Sequence, residues 1–442
     1  MIRSMDAYDA IGGPVVPGHS IASMSSVEWM LNGAVAPVDT VPSLGRVLLL
    51  SASVGGGHTR AAEAVAAAIR KRALAGHLRH DRIEVVDTLA FAAGWFRTAY
   101  RGTYLGLLSK APSLVGWLYE RSDRPFRGVR SRWATAHASL GALRRLIDDF
   151  DPQTIISTHF LPSEYLAGLR RRGRLDATLM TVVTDIHVHG MWLADPCDHY
   201  FVATDQGRET LERSGVRRER ITVSGIPIDP VFAQAPSTAD GRRAVRTEAR
   251  TRLGLPADRP VVLFTTGGAC VGPIEALYRQ LLTLKTPCEL VAICGKSVSA
   301  REALERIAAQ HVAQSPPGSA VRTQVLGHTT AMHDYMAAAD LLIGKPGGLT
   351  SAEARASGLP MAIVHAIPGQ EEHNATALTN AGCAVRCDTE ALTTAVQTID
   401  RLLQAPNERD AMAERALAGA APRSADLVAM VVARHAQGRS RL

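Results

Sequence analysis

Short apolar runs recur along the chain, each ending in glycine or polar residues, with helical patterns between them. The runs of the first half are Arg46–Ser51, Ile83–Asp87, Thr154–Ser157, Leu179–Thr184, His199–Ala203 and Ile221–Gly225. Those of the second half are Pro260–Thr265, Glu289–Cys294, Ala320–Leu326, Asp340–Ile343 and Pro360–Val364. Strands that are apolar throughout and alternate with helices are typical of a parallel sheet buried on both faces. The pattern predicts an α/β protein with two doubly wound, Rossmann-like domains.

Breaks in this alternation indicate where the domains begin and end. Residues 1–43 hold scattered glycine, proline and acidic residues and predict a poorly ordered extension, whereas residues 44–230 form the first domain. Residues 231–258, with prolines and a polar stretch, are the predicted linker, and residues 259–405 are the second domain. Residues 406–442 predict a helical tail that packs back on the first domain. Two such domains leave a central cleft at their strand ends, where ligands bind.

Composition places the chain among globular proteins. A chain of 442 residues is longer than a domain with a single hydrophobic core usually is, and 46% of its residues are hydrophobic. Lys and Arg number 49 against 42 Asp and Glu. That excess fits either a compositional bias toward Arg or an affinity for phosphates and anionic lipid. No apolar run approaches the roughly 20 residues of a membrane span. No secretory leader is recognisable, and six cysteines without metal-site spacing favour a reducing, cytoplasmic location.

A glycine turn in the second half carries the strongest candidate chemistry. Residues 345–353 (KPGGLTSAE) follow an apolar run and open a helix. Glycines let a ligand approach the backbone, and a helix N-terminus offers free N–H groups, so Gly347 and Gly348 are suited to a diphosphate. Glu353, one turn into the helix, is placed to accept hydrogen bonds from ribose hydroxyls. A tight turn without a ligand is the alternative.

A second polar loop follows the next apolar run, at residues 368–375 (PGQEEHNA). Gln370, Glu371 and Asn374 bring amide and carboxylate groups that are suited to hydrogen-bonding several sugar hydroxyls. The alternative is a polar surface loop with an asparagine cap. Two polar loops at adjacent strand ends favour a binding site.

The first apolar run leads into Gly55, Gly56, Gly57 and His58. The glycine spacing departs from the GxGxxG fingerprint of dinucleotide-binding proteins. His58 opens a helix, and a neutral imidazole takes a proton from an attacking hydroxyl near pH 7. Alternative roles for His58 are a helix cap or a donor that positions the acceptor. Asp185 is a second candidate base, or a group that orients His58.

Asp185, His187 and His189 alternate directly after an apolar run, a spacing that raises the question of a metal site. The segment lacks further ligands nearby, so we expect no metal there. The sequence assigns no role to His187.

Residues 91–133 interleave aromatic and basic side chains. The members expected to meet membrane or acceptor are Trp95, Arg97, Tyr100, Trp117, Arg124 and Arg127. Aromatic side chains with basic neighbours suit the interface of an anionic bilayer. A packed helical insertion with an arginine-rich face is the alternative. An RNA-binding surface is disfavoured because no nucleic-acid module is visible.

These motifs resemble those of one enzyme family. Residues 327–382 resemble the donor half of glycosyltransferase family 28. SASVGGGH (51–58) and TDIHVHGMW (184–192) resemble the monogalactosyldiacylglycerol synthases and processive diacylglycerol glucosyltransferases of that family. Thr184, Asp185, His189 and Trp192 match the spacing there. The resemblance implies the GT-B fold, in which two Rossmann-like domains face a central cleft, and a UDP-sugar donor.

The resemblance also implies roles for individual residues. The donor-binding set is Gly267, Gly268, Leu326, Gly327, Lys345, Gly347, Gly348, Thr350, Glu353, Gln370, Glu371 and Asn374. Within it the glycine loop holds the diphosphate, Glu353 the ribose, and Gln370 and Glu371 the donor sugar. The acceptor set adds Gly56, Gly57, His189 and Trp192 to the aromatic and basic residues named above.

We therefore expect an inverting glycosyltransferase that moves glucose or galactose from a UDP-sugar to diacylglycerol or a glycosyldiacylglycerol, without a metal or other cofactor. The alternatives are a UDP-N-acetylglucosamine-dependent transferase acting on a polyprenyl-linked lipid, and a UDP-sugar epimerase. The expected partners are the donor, the lipid acceptor and an anionic membrane surface, but no nucleic acid. We expect a peripheral location on the cytoplasmic side of the cell membrane. The sequence leaves the sugar, the lipid and the oligomeric state open.

Overall fold

In a computed structural model of the protein, the described strands form two parallel sheets of six strands each. The structure describes residues 41–53, 56–94, 112–123, 137–267, 270, 272–315, 319–387 and 391–439. The first sheet contains β1 (Arg46–Ser51), β2 (Arg82–Asp87), β3 (Thr154–Ser157), β4 (Thr178–Val182), β5 (His199–Val202) and β6 (Ile221–Val223). The second contains β7 (Val261–Thr265), β8 (Cys288–Ile293), β9 (Val321–Leu326), β10 (Leu341–Gly344), β11 (Met361–Ile363) and β12 (Ala384–Arg386).

Helices separate the strands, as the alternation predicts. Those of the first half are α1 (Gly57–Leu74), α2 (Pro112–Ser122), α3 (Gly141–Phe150), α4 (Phe160–Arg171) and α5 (Asp205–Arg213). The second half holds α6 (Ala239–Leu253), α7 (Ile274–Leu281), α8 (Val298–Gln314), α9 (Met332–Ala338), α10 (Gly348–Ala356) and α11 (Gln370–Asn380). Three more helices follow, α12 (Leu392–Gln404), α13 (Pro406–Ala418) and α14 (Ser424–Arg439). Short 3-10 turns lie at 88–91, 190–192, 218–220 and 230–232.

The order of the strands places the functional loops. The first sheet runs β2-β1-β3-β4-β5-β6, and the second runs β12-β11-β10-β7-β8-β9. The chain therefore reverses its direction of travel across the sheet between β1 and β3, and again between β7 and β10. A crevice opens outside the carboxyl ends of parallel strands at such a switch point. The glycine turns after β1 and β10 both begin at these points.

The buried strands explain why the sequence shows continuous apolar runs. Successive side chains of a strand point to opposite faces, so a strand covered on both faces needs apolar residues throughout. In β1, Val47 and Leu49 enter the core beneath α1, whereas Leu48 and Leu50 enter the core on the other face. All four side chains are fully buried.

The predicted linker contains a helix. Residues 239–253 form α6, which is capped at its start by Thr238, whose hydroxyl accepts from the Gly241 N–H at 3.2 Å. The helix packs on α9 in the second half. Its arginines Arg246 and Arg250 both pair with the buried carboxylate of Asp340. In the sequence, a segment rich in charged residues looks like a solvent-exposed loop, even where its charges pair inside the protein. The helix was not predicted for this reason.

The C-terminal tail divides between the two halves. Helix α13 packs on α10 and α12 of the second half, contrary to the expectation that the whole tail packs on the first. Helix α14 crosses over and packs on α1, where Val428 and Val432 join the core of the first sheet. Strand β12, which the apolar pattern did not predict, closes the second sheet at its edge. Among the described helices, none is long and apolar enough to cross a membrane.

Candidate active site

The carboxyl ends of the two sheets face each other, and their loops touch. A Cβ atom placed on Gly348, at the start of α10, would lie 2.1 Å from the carbonyl oxygen of Thr184 after β4. A Cβ on Gly57, at the start of α1, would lie 3.5 Å from the Cβ of Leu349. Two helix N-termini, one from each half, therefore meet at the cleft. Glycine is required at Gly348 because no side chain fits there.

His58 lies in the first turn of α1 and is held by two threonines. Its Nδ1 atom lies 3.0 Å from the carbonyl oxygen of Thr158 and 2.7 Å from the hydroxyl of Thr184. A carbonyl oxygen only accepts, so Nδ1 carries the ring proton and Nε2 is the basic nitrogen. No described residue pairs with Nε2. Burial lowers the pKa of His58 to about 4, partly opposed by the Thr158 carbonyl, so the ring is neutral at pH 7.

Asp185 is buried, and both of its carboxylate oxygens have partners. Oδ2 accepts from the indole Nε1 of Trp192 at 3.0 Å, and Oδ1 accepts from the side-chain amide of Gln370 on α11. Burial raises the pKa of Asp185 to about 6, while these two hydrogen bonds act to lower it. The prediction that Asp185 orients His58 is wrong, because Thr158 and Thr184 do so instead.

The N-terminus of α10 has the features expected of an anion site. Gly347 precedes the helix with φ −62° and ψ 141° and makes no side-chain cap. The first intrahelical bond of this turn runs from the Ser351 N–H to the Gly347 carbonyl at 2.9 Å, so the N–H groups of Gly348 to Thr350 have no intrahelical partner. Gly347, Gly348 and Thr350 therefore lie where free N–H groups and the helix dipole favour an anion.

Glu353 is buried one turn further along α10. Its Oε1 atom lies 3.1 Å from the guanidinium of Arg60 on α1, and its side chain is 2% exposed. Its Oε2 atom is buried without a hydrogen-bond partner among the described residues. Burial raises the pKa of Glu353 to about 7, and Arg60 acts against this. An unsatisfied buried carboxylate oxygen is costly, and donors on a ligand would satisfy it.

The remaining donor-set residues at the strand ends line the same edge of the second sheet. Lys345 follows β10, and burial lowers its pKa while Glu371 acts to raise it. A Cβ on Gly267, after β7, would lie 3.9 Å from Cδ of Lys345. Leu326 ends β9 and Gly327 follows it, and the Leu326 carbonyl accepts from the Cys294 N–H at 2.8 Å. Gly268 lies outside the described residues.

The second polar loop joins the two halves rather than presenting all its side chains to a ligand. The amide of Asn374 is fully buried, donating to the Pro346 carbonyl at 3.0 Å and accepting from the Ile186 N–H at 3.2 Å. Both polar atoms of its amide therefore already have a backbone partner, and the contact of Asn374 with the donor stays a prediction. Glu371 accepts from the Ile367 N–H at 2.7 Å and so shapes its own loop.

The acceptor-set residues differ in exposure. His189 is buried, and its ring accepts from the Met191 N–H at 3.0 Å and donates to the Tyr119 carbonyl at 2.8 Å. Trp192 is buried, and its indole donates to Asp185. His189 and Trp192 were predicted to face the acceptor, but neither side chain is exposed in the structure. Gly56 is the N-cap of α1 and Gly57 is its first residue, and Trp117 is 54% exposed. The residues that lie outside the described chain are Trp95, Arg97, Tyr100, Arg124 and Arg127.

Helix α2 lies against the second polar loop. A Cβ on Gly369, which has φ 93°, would lie 2.6 Å from the ring of Tyr119. Beyond the helix, Asp123 lies 3.6 Å from Nε2 of His187, whose ring stacks on His373 with centroids 4.3 Å apart. His187, which the sequence left without a role, thus lies between Asp123 just after α2 and His373 on α11 of the second half. The described residues include no group of three or more ligand side chains that could hold a metal.

Two family models match the chain, one in each half. A model of monogalactosyldiacylglycerol (MGDG) synthase matches residues 58–228, and the model of the glycosyltransferase family 28 C-terminal domain matches residues 275–428. The second half of the chain thus matches glycosyltransferase family 28, and the first half matches MGDG synthase. The first match contains His58 and Asp185, and the second contains Gly348, Glu353 and Gln370. Both sides of the cleft therefore lie within the family's matched regions.

Two curated relatives illustrate the branch of family 28 that the chain resembles. The processive diacylglycerol beta-glucosyltransferase of Bacillus subtilis (strain 168) is 26% identical over 343 residues, covering 77% of this chain and 82% of that protein. The chloroplastic monogalactosyldiacylglycerol synthase of Spinacia oleracea is 29% identical over 372 residues, covering 81% of this chain and 66% of that protein. The predicted branch of the family is thus confirmed.

Solved structures confirm the GT-B fold. MurG of Acinetobacter baumannii superposes with a TM-score of 0.53 and 16% identity, covering 88% of this chain and 99% of that one. A UDP-GlcNAc 2-epimerase from Neisseria meningitidis superposes with a TM-score of 0.54 and 12% identity, covering 88% of this chain and 100% of that one. Because transferases and an epimerase share this fold, the fold by itself does not distinguish them.

Proposed function

We propose that the protein transfers glucose or galactose from a UDP-sugar to diacylglycerol or a glycosyldiacylglycerol, with inversion at the anomeric carbon. The observation that carries the proposal is that a candidate base and a candidate donor site face each other across the cleft. A neutral imidazole with its basic Nε2 unpaired among the described residues lies on one side. An N-terminal helix turn and a carboxylate with an unsatisfied oxygen lie on the other. The names of the relatives supply the lipid and sugar classes.

The donor occupies the second half in this proposal. The diphosphate lies at the N-terminus of α10, where the free N–H groups and helix dipole stabilise its charge. Lys345, behind this turn, adds a cation. Glu353 accepts from the ribose hydroxyls through its unsatisfied oxygen. Gln370 lies at the start of α11, between Asp185 and the donor sugar.

The reaction follows from the His58 geometry. Nε2 of His58 takes the proton of the acceptor hydroxyl as its oxygen attacks the anomeric carbon. The bond from the anomeric carbon to the diphosphate oxygen breaks, and UDP leaves with the negative charge held at α10. Thr158 and Thr184 hold the imidazole in the required tautomer. Asp185 accepts hydrogen bonds from Trp192 and Gln370 and so holds both side chains in place. The base, the stabilisation of the leaving group and the positioning of the imidazole are all supplied by groups of the protein.

A membrane surface supplies the lipid in this proposal. Helix α2 exposes Leu114, Trp117 and Leu118 by 44%, 54% and 44%. Arg121 lies over the Trp117 ring, with its guanidinium carbon 5.3 Å from the ring centroid. An apolar stripe with an arginine suits the interface of an anionic bilayer. Because α2 also contacts Gly369, lipid bound there reaches the cleft.

The test is an assay with defined substrates. The full chain is incubated with labelled UDP-glucose, UDP-galactose or UDP-N-acetylglucosamine and vesicles containing diacylglycerol, and the extracted lipids are separated. We expect label in a glycolipid with one of the two hexoses and none with the His58→Ala variant. A UDP-sugar converted without lipid would instead favour an epimerase. Label from UDP-N-acetylglucosamine alone would exclude the proposed donor.

A further inference from the structure

Arg60 reaches across the cleft from the helix that carries His58. It lies on α1, and its Nη1 atom is 3.1 Å from Oε1 of Glu353 on α10. Its Nε atom lies 3.9 Å from the position of a Cβ on Gly56, so the side chain extends beside the glycine turn. The Arg60 side chain is 44% exposed, whereas that of Glu353 is 2% exposed. The pair thus joins an accessible cation of one half to a buried anion of the other.

The surroundings of Glu353 make this cation important. Burial raises the pKa of Glu353 to about 7, Arg60 lowers it, and Asp229 raises it. Asp229 lies on the exposed loop before the 3-10 turn at 230–232, and its Oδ1 atom accepts a hydrogen bond from the Val231 N–H at 3.0 Å. Arg60 is therefore the cation that offsets burial at this carboxylate. Without it, the ionised form would be buried with a like charge nearby.

The ionisation state of Glu353 determines how well its carboxyl group accepts hydrogen bonds from ribose hydroxyls. An ionised carboxylate only accepts hydrogen bonds, which matches the hydroxyl donors of ribose. A protonated carboxyl group uses one oxygen as a donor and binds such hydroxyls less well. Oε1 faces Arg60, which leaves the unsatisfied Oε2 for the ligand. The geometry divides the two oxygens between a charge partner and a substrate.

We propose that Arg60 is a positioning residue for donor binding, which keeps Glu353 ionised in the closed cleft so that Oε2 accepts from the ribose hydroxyls of the nucleotide. The inference rests on the proposed function for the role of Glu353 and adds a residue from the opposite half. Because Arg60 and His58 share the first turns of α1, the ion pair also connects the donor site to the helix that carries the base.

A direct contact between Arg60 and the diphosphate is the competing use of the same side chain. Removing Arg60 weakens nucleotide binding in either case. The two differ in their pH dependence. Loss of a phosphate contact weakens binding at every pH, whereas loss of the charge partner weakens binding most where Glu353 is protonated. A pH series therefore separates them.

The experiment measures UDP binding to the full chain by calorimetry between pH 6.5 and 9. At each pH the variant is compared with the unchanged protein, so that titration of the UDP phosphates cancels. We expect Arg60→Ala to weaken UDP binding about fivefold at pH 7, because the pKa of Glu353 would rise further and fewer molecules would carry the ionised carboxylate. The difference should shrink to less than about twofold by pH 9, where the carboxylate ionises without help. Arg60→Lys should retain most of the affinity.

Matched controls separate this inference from the proposed function. Lys71→Ala removes an exposed cation from the same helix and should leave UDP affinity unchanged. Glu353→Gln should weaken UDP at every pH, and Arg60→Ala should add nothing in that background. If Glu353→Gln binds UDP normally, the donor site itself is wrong. If Glu353→Gln weakens binding but the Arg60→Ala effect is absent or independent of pH, the donor site stands and the inference on Arg60 is overturned.

Discussion

At the scale of single residues, hydrogen bonds distinguish the two candidates for the proposed base. Nδ1 of His58 is committed to Thr158 and Thr184, and this leaves Nε2 as the basic nitrogen. Both oxygens of Asp185 are committed to Trp192 and Gln370. Each oxygen of Asp185 keeps a lone pair but is held by a partner within the protein, whereas no described residue pairs with Nε2 of His58. Geometry therefore favours His58 as the base and gives Asp185 a supporting role.

The pH dependence of turnover tests this assignment. Protonation of Asp185 replaces an acceptor with a donor, so kcat at saturating donor should fall as pH decreases through about 6. Asp185→Asn cannot titrate, so this acid limb should disappear and kcat should stay flat down to about pH 5. His58 remains neutral in that range because its pKa is about 4. We expect Asp185→Asn to lower kcat about tenfold, equivalent to about 1.4 kcal/mol.

The matching variant is His58→Gln, which keeps a polar group but removes the base. We expect a loss of kcat of about 10²–10⁴-fold, the usual contribution of a general base. Circular dichroism at each pH confirms that the protein remains folded. A loss of that size in Asp185→Asn, together with an active His58→Gln variant, would identify Asp185 as the base instead.

At the scale of elements, the start of α10 is shaped by its contact with the first half. Gly348 and Gly347 are neighbours, yet their surroundings differ. A Cβ on Gly348 meets the Thr184 carbonyl at 2.1 Å, whereas a Cβ on Gly347 meets nothing within 4 Å. The two positions therefore form a matched pair for testing whether α10 must contact Thr184 after β4.

Gly348→Ala should destabilise the protein and weaken UDP binding, because the helix must move away from Thr184. We expect a decrease in the free energy of unfolding of about 1–3 kcal/mol, the usual cost of overpacking, measured by urea denaturation. Gly347→Ala has space and ordinary dihedral angles, so its free energy of unfolding should be unchanged. Equal stability of the two variants would mean that the two halves do not close at this contact.

Helix α2 provides a second test at this scale. If its exposed stripe meets the bilayer, Trp117→Ser should lower binding to anionic vesicles about fivefold, as expected for losing about 1 kcal/mol of apolar burial. Co-sedimentation of the full chain with phosphatidylglycerol vesicles measures this. Leu74→Ser is the control, since Leu74 is 91% exposed on α1 and lies outside the stripe. Equal losses in both variants would show that α2 has no special role in lipid binding.

At the scale of the whole molecule, the halves are joined by polar contacts and by a shared helix. Asn374 links the Ile186 N–H to the Pro346 carbonyl, Gln370 reaches Asp185, and α14 returns from the second half to α1. Buried polar groups are costly when unpaired, so such contacts specify one closed arrangement. The cleft is therefore assembled by residues far apart in the sequence.

Asn374→Ala tests this assembly. The change leaves two backbone groups without partners, and we expect the free energy of unfolding to decrease by about 2 kcal/mol. Calorimetry should also show separate melting of the two halves. The neighbouring exposed residue serves as the control, since Thr376→Ala removes a hydroxyl that bonds within its own helix to the Glu372 carbonyl. An unchanged melting profile for Asn374→Ala would show that other contacts hold the halves together.

The sequence by itself determined the local features of this protein. Apolar runs predicted eleven of the strands, because buried parallel strands must be apolar on both faces. Glycine turns before two helices indicated the anion site and His58, because only glycine permits such close approach. The aromatic and basic character of residues 91–133 was visible too, although most of that segment lies outside the described residues.

The tertiary structure decided which groups remain free to act. Thr158 and Thr184 hold His58 from 100 and 126 positions away, and Arg60 meets Glu353 from the opposite half. No local pattern encodes such pairs, because they depend on how two sheets face each other. Trp192 and Asn374 were expected to contact substrates, yet packing uses their polar atoms internally. Motifs thus located the cleft, while long-range contacts hold the ring of His58, pair Glu353 with Arg60 and join the two halves.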